Sequence, residues 1–230
     1  MKTHLRRADA RGHADHGWLD TRHTFSFAGY YDPRFMGFGD LRVINEDHIA
    51  AGAGFPKHPH RDMEIVSYVV EGALAHADTL GTGSVIRPGE VQLMSAGRGI
   101  AHSEYNHSKD EGVHLLQIWL LPAEQGTAPR YDQKAFPTHE RGLRLVVSPD
   151  GRDGSLTIGQ DVDLHRLLLD GDATAQLAPR RGRVWVQLVK GGLEVAGERL
   201  EPGDGLAIVE PDDLTFRAHG GAEALVFDLR

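Results

Sequence analysis

The chain has no cysteine among its 230 residues, which removes disulfides and thiolate metal ligands from consideration. It has no basic run either. Its 25 Lys and Arg are outnumbered by 33 Asp and Glu, for a formal net charge of −8, so nucleic acid is not expected as a direct ligand. No apolar run approaches the length of a bilayer span, and the first residues, Met1 to Arg7, lack the apolar centre of a secretory signal. A cytoplasmic protein with no membrane partner is the expectation. Also missing is any sustained helical period, which points to an all-β chain. Against these absences stand 28 Gly, suited to many tight turns, and 14 His. The length admits one large all-β domain or two small ones.

Read in order, Gly12 to Tyr31 is rich in His and aromatics, and His23-Thr24-Phe25-Ser26-Phe27 alternates as a strand would. Leu41-Arg42-Val43-Ile44 is the next expected strand, with Asn45-Glu46-Asp47 starting a turn. Ile65 to Val70 is rich in β-branched residues and stops at Glu71-Gly72. Leu74 to Asp78 alternates toward a hairpin at Gly81-Thr82-Gly83, Ser84 to Ile86 returns, and His114 to Leu120 closes this half. Leu121-Pro122 to Phe136 reads as a connector. The expected organisation is residues 1–121, a connector at 122–136, and a second unit at 137–230.

The second unit echoes the first. Val184 to Gly191 repeats the layout of Ile65 to Gly72, and Glu201-Pro202-Gly203-Asp204 repeats Arg87-Pro88-Gly89-Glu90. Short strands, frequent turn signals and a repeated unit imply two small antiparallel β-barrels or rolls in tandem.

Chemistry is concentrated between Gly52 and Asn106. Strand side chains alternate with a period of two, so His58 and His60 share a face. Glu64 joins them if the alternation is unbroken, and His102 and Glu104 share a face of a second strand. If the faces oppose, three imidazoles and one or two carboxylates meet, a mixed nitrogen/oxygen site for a divalent transition metal. Spacing alone leaves Glu64 and Glu104 both open as the carboxylate. Carrying the repeat offsets into the second half places Leu177, Pro179, Phe216 and Ala218 at the four ligand positions, so metal is expected in the N-terminal unit only. Asn106 and Gln117 are candidates to hold ligands in place. Phe25, Phe38 and Met63, with Gln117, are candidates to line a pocket for a flat aromatic substrate. His13, His16, His23, His76, His107 and His114 carry no such pattern and are expected to be structural or on the surface.

Gly52-x5-His58-x-His60-x3-Glu64 and Gly99-x2-His102-x3-Asn106 resemble the two signature motifs of the cupin superfamily. One residue is added between Glu64 and Gly72, and Ser95 stands where a proline is usual. More narrowly, His58-Pro59-His60-Arg61-Asp62-Met63-Glu64, Ser95-Ala96-Gly97-x-Gly99-Ile100-x-His102-Ser103-Glu104-Tyr105-Asn106, His23 to Phe27, Met36 to Gly39 and Leu41 to Asn45 resemble the pirin family. The resemblance implies a bicupin fold with one metal, usually iron, held by His58, His60, His102 and Glu104. Manganese, cobalt, nickel, copper and zinc stay open. It also implies a quercetin 2,3-dioxygenase-like oxidoreductase that opens a flavonol ring with O2, with Glu104 or Glu64 accepting the substrate proton. The alternative it carries is a non-catalytic, redox-sensing regulatory pirin that binds a protein partner.

Overall fold

The computed structural model describes residues 1–230. Its strands are, in order, β1 (Lys2–Arg6), β2 (Gly12–Asp15), β3 (Leu19–His23), β4 (Leu41–Ile49), β5 (Gly54–His60), β6 (Glu64–Glu71) and β7 (Leu74–Asp78). There follow β8 (Gly83–Ile86), β9 (Glu90–Ser95), β10 (Ile100–Asn106), β11 (Val113–Leu120), β12 (Arg130–Ala135), β13 (Gly142–Ser148) and β14 (Leu156–Thr157). The last six are β15 (Val162–Leu169), β16 (Thr174–Leu177), β17 (Arg183–Val195), β18 (Glu198–Leu200), β19 (Gly205–Val209) and β20 (Leu214–Leu229). Helix is confined to two short 3-10 turns, Ala8–Ala10 and Arg152–Gly154, and no helix is long and apolar enough to cross a membrane.

The N-terminal half is a sandwich of a four-stranded sheet, β5-β10-β7-β8, and a seven-stranded sheet, β12-β9-β6-β11-β4-β3-β2. The C-terminal half is one nine-stranded sheet in which β17, β20 and β15 are central. None of these sheets closes on itself, so the two units are open jelly rolls rather than closed barrels. β17 bends at two register shifts, between Leu188 and Lys190 and between Gly191 and Leu193. It therefore pairs with β20 along most of its length while also reaching β18 and β19.

The large sheet of the N-terminal half is buried on both faces, which explains why β6 reads as a continuous apolar run rather than an alternating one. Val66, Tyr68 and Val70 point outward into a 25-residue core shared with Trp185, Phe227 and Leu229 of the other half. Ile65 and Val69 point the opposite way, into the sandwich interior. The two interiors differ. That of the C-terminal half is one apolar cluster of 16 residues, whereas that of the N-terminal half is split into clusters of 7 and 4. Between those two clusters lie buried polar side chains: Ser67, His76, Gln92, His102, Glu104 and Gln117.

The internal repeat is visible in backbone geometry. Gly72, just past β6, and Gly191, at the bend inside β17, both take left-handed φ, +78° and +80°. A Cβ there would lie 2.7 Å from the Gly112 carbonyl oxygen and 2.1 Å from the Gly221 carbonyl oxygen, respectively, so both positions demand glycine. Of the four positions that the repeat equates with the ligands, Phe216 and Ala218 are buried in the C-terminal core and Leu177 packs against it.

Several sequence expectations are revised. β3 stops at His23, and residues 24–27 leave the sheet. Asn45-Glu46-Asp47 is not a turn but the middle of β4, where Asn45 and Asp47 face inward as buried polar groups. The expected connector contains β12, which pairs with β9 along its whole length. β1 crosses to the other half and pairs with β19 from Lys2↔Val209 to Arg6↔Gly205.

Candidate metal centre

β5 and β10 are antiparallel neighbours in the small sheet, with His102 opposite His58 and Ile100 opposite His60. Directly paired residues share a face, so His58, His60 and His102 all turn into the sandwich. Their ring centroids lie 4.5 to 4.8 Å apart, and their ligand nitrogens lie within 4.8 Å of one another. The Nε2 atoms of His58 and His102 are 3.0 Å apart. Two nitrogens bound about 2.1 Å from one ion at a right angle would stand about 3.0 Å apart. His58 Nδ1–H donates to the Pro56 carbonyl at 2.8 Å, which leaves its Nε2 lone pair free for a cation. The His60 Nε2 atom is buried and has no partner, a costly state for a polar atom unless an ion completes it. These are the donor type, tautomer and spacing that a divalent transition metal requires, and the fit holds.

Protonation favours the same conclusion. Burial, then the neighbouring His58, lowers His60 to about 4, and the same causes lower His102 to about 3. Both rings are therefore neutral at physiological pH, as ligation demands.

Glu104 is buried at 2 % exposure and forms a second group with His102 and His76. The structure does not bring it into one group with all of His58, His60 and His102; His102 is common to both groups. Its Oε1 accepts from Ser67 Oγ at 3.3 Å and its Oε2 accepts from Gln117 Nε2 at 3.0 Å. Burial pushes the Glu104 carboxyl up to about 8, against the hydrogen bond from Ser67. Gln117 is thus a holder of Glu104 rather than a pocket wall.

Glu64 lies elsewhere. Asp62 takes a left-handed φ of +49°, which breaks the alternation expected from His60 onward, and Glu64 opens β6 in the other sheet. It shares the outward parity of Val66 and Tyr68, accepts from Ser95 Oγ at 2.7 Å and packs against Gly159. Asn106 does not hold a ligand either. Its amide donates to the carbonyls of Ile49, Ala50 and Glu111 and ties the neighbouring loops together.

Of the residues expected to line a pocket, Phe25 and Phe38 sit instead between the two halves, 4.9 and 5.7 Å from the Trp185 ring. The reason is the doubly buried sheet, whose outer face needs aromatic filling as much as its inner one. Met63, like Trp119 and Tyr131, packs against the cluster of Ile65, Met94, Ala96 and Ile100, and Trp119 meets His60 edge-on at 5.0 Å. A cavity of about 700 Å³ in this half is lined in part by Trp18, Phe27, Tyr30, Phe55, His23 and Asp47, and none of His58, His60 and His102 lines it. Phe55 approaches the His58 ring at 6.4 Å, and Phe27 meets Trp119 at 5.3 Å, so both join the cavity to the centre. Asp47, pushed up to about 6 by burial, leaves its Oδ1 without a partner at this wall.

The family assignment follows from comparison. A model described as Pirin matches residues 4–120. The chain belongs to the pirin family. A second model, described as the quercetinase C-terminal cupin domain, matches residues 145–229 of this pirin. It is 53 % identical over 228 residues, 98 % of each chain, to a protein of Escherichia coli K12 named quercetin 2,3-dioxygenase. Its fold superimposes on the crystal structure of YhhW from Escherichia coli with a TM-score of 0.97 at 50 % identity, covering 100 % of this chain and 98 % of the other. A structure of the bacterial pirin YhhW in complex with nickel(II) matches with a TM-score of 0.95 at 51 % identity, covering 99 % of each chain.

The residue that sequence reasoning missed is His76. Leu74-Ala75-His76-Ala77-Asp78 alternates, which puts His76 and Asp78 on one face. Only the pairing of β7 with β10, which sets His76 opposite Glu104 and Asp78 opposite His102, shows which face it is.

Proposed function

We propose that this pirin is a metal-dependent dioxygenase that opens the heterocycle of a flavonol such as quercetin, inserting both atoms of O2 and releasing carbon monoxide, with Fe(II) as its ion and the cytoplasm as its location. The observation that carries this reading is the convergence of three imidazoles, two with their Nε2 atoms 3.0 Å apart, linked through Phe55 to an aromatic-walled cavity of about 700 Å³. The naming of a relative at 53 % identity as a quercetin 2,3-dioxygenase supports the substrate class. The choice of iron rests on the family resemblance; the nickel bound by the relative belongs to the same class of divalent ion.

His58, His60 and His102 hold the ion, with Glu104 as the carboxylate of the set. When bound, the ion supplies positive charge that acidifies a coordinated hydroxyl and a redox partner for O2. The chain supplies the rest. Phe27, Phe55 and Trp18 form an apolar wall on which a flat ring system stacks and from which water is excluded. Glu104, fixed by Ser67 and Gln117, accepts the substrate hydroxyl proton once the charge of the bound ion holds it as a carboxylate. Glu64, on the opposite face of β6, takes no part in proton transfer.

The test is turnover by protein loaded separately with iron, nickel, manganese, cobalt or copper, following quercetin absorbance with and without O2. Loss of quercetin that requires both metal and O2 is expected, and His102→Ala should lose bound metal and turnover together. Quercetin left intact at full occupancy by every one of these metals would overturn the dioxygenase reading in favour of a regulatory one. Turnover without O2 would point to a different reaction.

A further inference from the structure

His76 and Asp78 stand behind His102, on the side away from His58. Both side chains are fully shielded from solvent, and His76 Nε2 lies 3.1 Å from Asp78 Oδ2. The other carboxylate oxygen, Oδ1, already accepts the backbone N–H groups of Leu80 at 2.8 Å and Thr82 at 3.0 Å. Asp78 is therefore clamped by the hairpin, and only Oδ2 is left to face the imidazole. A carboxylate accepts only, so His76 must carry its proton on Nε2. Its Nδ1 is then a lone pair, and that atom lies 3.4 Å from His102 Nδ1. Gln92 Nε2 also points at His76 Nδ1, at 3.4 Å, which is consistent with an acceptor there. A lone pair at this position requires His102 to carry its proton on Nδ1. The His102 Nε2 lone pair is thereby directed toward His58 Nε2 and the centre.

We propose that Asp78 and His76 form a relay that sets the tautomer of His102, so that a clamp in the β7–β8 hairpin presents the buried ligand nitrogen to the ion. His76 and Asp78 are positioning residues acting through His102 and make no contact with substrate. The proposal rests on the metal-centre reading above, but the tautomer itself is a property of the chain without metal.

Two substitutions at one position separate this role from a structural one. In Asp78→Asn the backbone N–H groups hold the amide oxygen at the Oδ1 position, which places the NH2 group against His76. His76 must then move its proton to Nδ1, and His102 is forced to carry its own on Nε2, the atom that faces the ion. Asp78→Ala removes the instruction without reversing it. Outer hydrogen-bond partners of metal-bound histidines are worth about 10- to 100-fold in affinity. Nickel(II) titration with a competing chelator should therefore show Asn binding about 10- to 100-fold more weakly than wild type, and Ala weakened less than Asn. A packing role predicts the opposite order, because Asn keeps the shape that Ala deletes. In the metal-free proteins, long-range 1H–15N spectra should report His102 Nδ1 as the protonated nitrogen in wild type and Nε2 in Asp78→Asn.

Equal nickel affinities, Ala weaker than Asn, or an unchanged His102 tautomer in Asp78→Asn would overturn the relay. Wild type that fails to bind nickel while showing the expected tautomer switch would overturn the metal-centre reading and leave the relay standing.

Discussion

Replacing Glu104 by Gln should stabilise the metal-free protein while weakening its hold on metal. The carboxyl is buried at 2 % exposure and pushed up to about 8 from an ordinary 4.5. Its folded-state pKa lies above its unfolded one, so the folded protein binds the extra proton between those values and stability falls as pH rises through that range. Linkage gives a cost near pH 7 of roughly 3 kcal/mol, and a further loss of roughly 2 kcal/mol between pH 6.5 and 8.5. Asp47, at about 6, contributes only about 0.2 kcal/mol of slope over that upper window. Glutamine carries no charge and escapes both terms. Against the gain stands the reorientation of Gln117, whose amide donates to Glu104 Oε2; one rearranged hydrogen bond is worth about 1 kcal/mol. The expectation is a metal-free variant about 2 kcal/mol more stable than wild type at pH 7, with a flatter profile above pH 6.5. Urea unfolding of chelator-treated protein at several pH values measures both, and nickel titration should show weakened binding. A variant as pH-sensitive as wild type between 6.5 and 8.5 would refute the reasoning, since the slope would then come from another group.

Phe25→Ala should cost about 3–5 kcal/mol of stability, the usual range for a large buried aromatic. It should leave metal stoichiometry unchanged, because the side chain fills the seam against Trp185 rather than the cavity; unfolding curves and metal analysis on one preparation decide it. Phe55→Ala should weaken quercetin binding up to about tenfold, since an aromatic pair is worth about 0.5–1.5 kcal/mol beyond area; fluorescence titration reads it. His165, lowered to about 4 by burial, is protonated first in the unfolded chain. Wild type should therefore lose roughly 2 kcal/mol from this group between pH 7 and 5, a loss that stops near pH 4 and is absent in His165→Gln.

The N-terminal ligand strands were legible because the signal is short-range. A period of two aligns His58 with His60, and Gly72 and Gly191 mark equivalent points, one at a strand end and one at a strand bend, that only glycine can occupy. What escaped was information carried by pairing. Lys2 to Arg6 contains nothing that names Gly205 to Val209 as its partner. Tyr131 to Lys134 is as polar as a loop, yet it completes a sheet. Asn45-Glu46-Asp47 has turn composition, and its place inside β4 follows from lining a polar cavity wall. Phe25 and Phe38 were aromatic in the right neighbourhood and on the wrong face, because a sheet covered on both sides gives no local sign of which side holds the site. Glu64 was lost to one left-handed residue, Asp62.

The crossing of β1 to β19 has a consequence for biosynthesis. β1 pairs with residues made about two hundred positions later. The N-terminal half can thus assemble its two sheets while β1 is still unpaired. Seating that segment is then a late event, a latch that waits for β19 to be made.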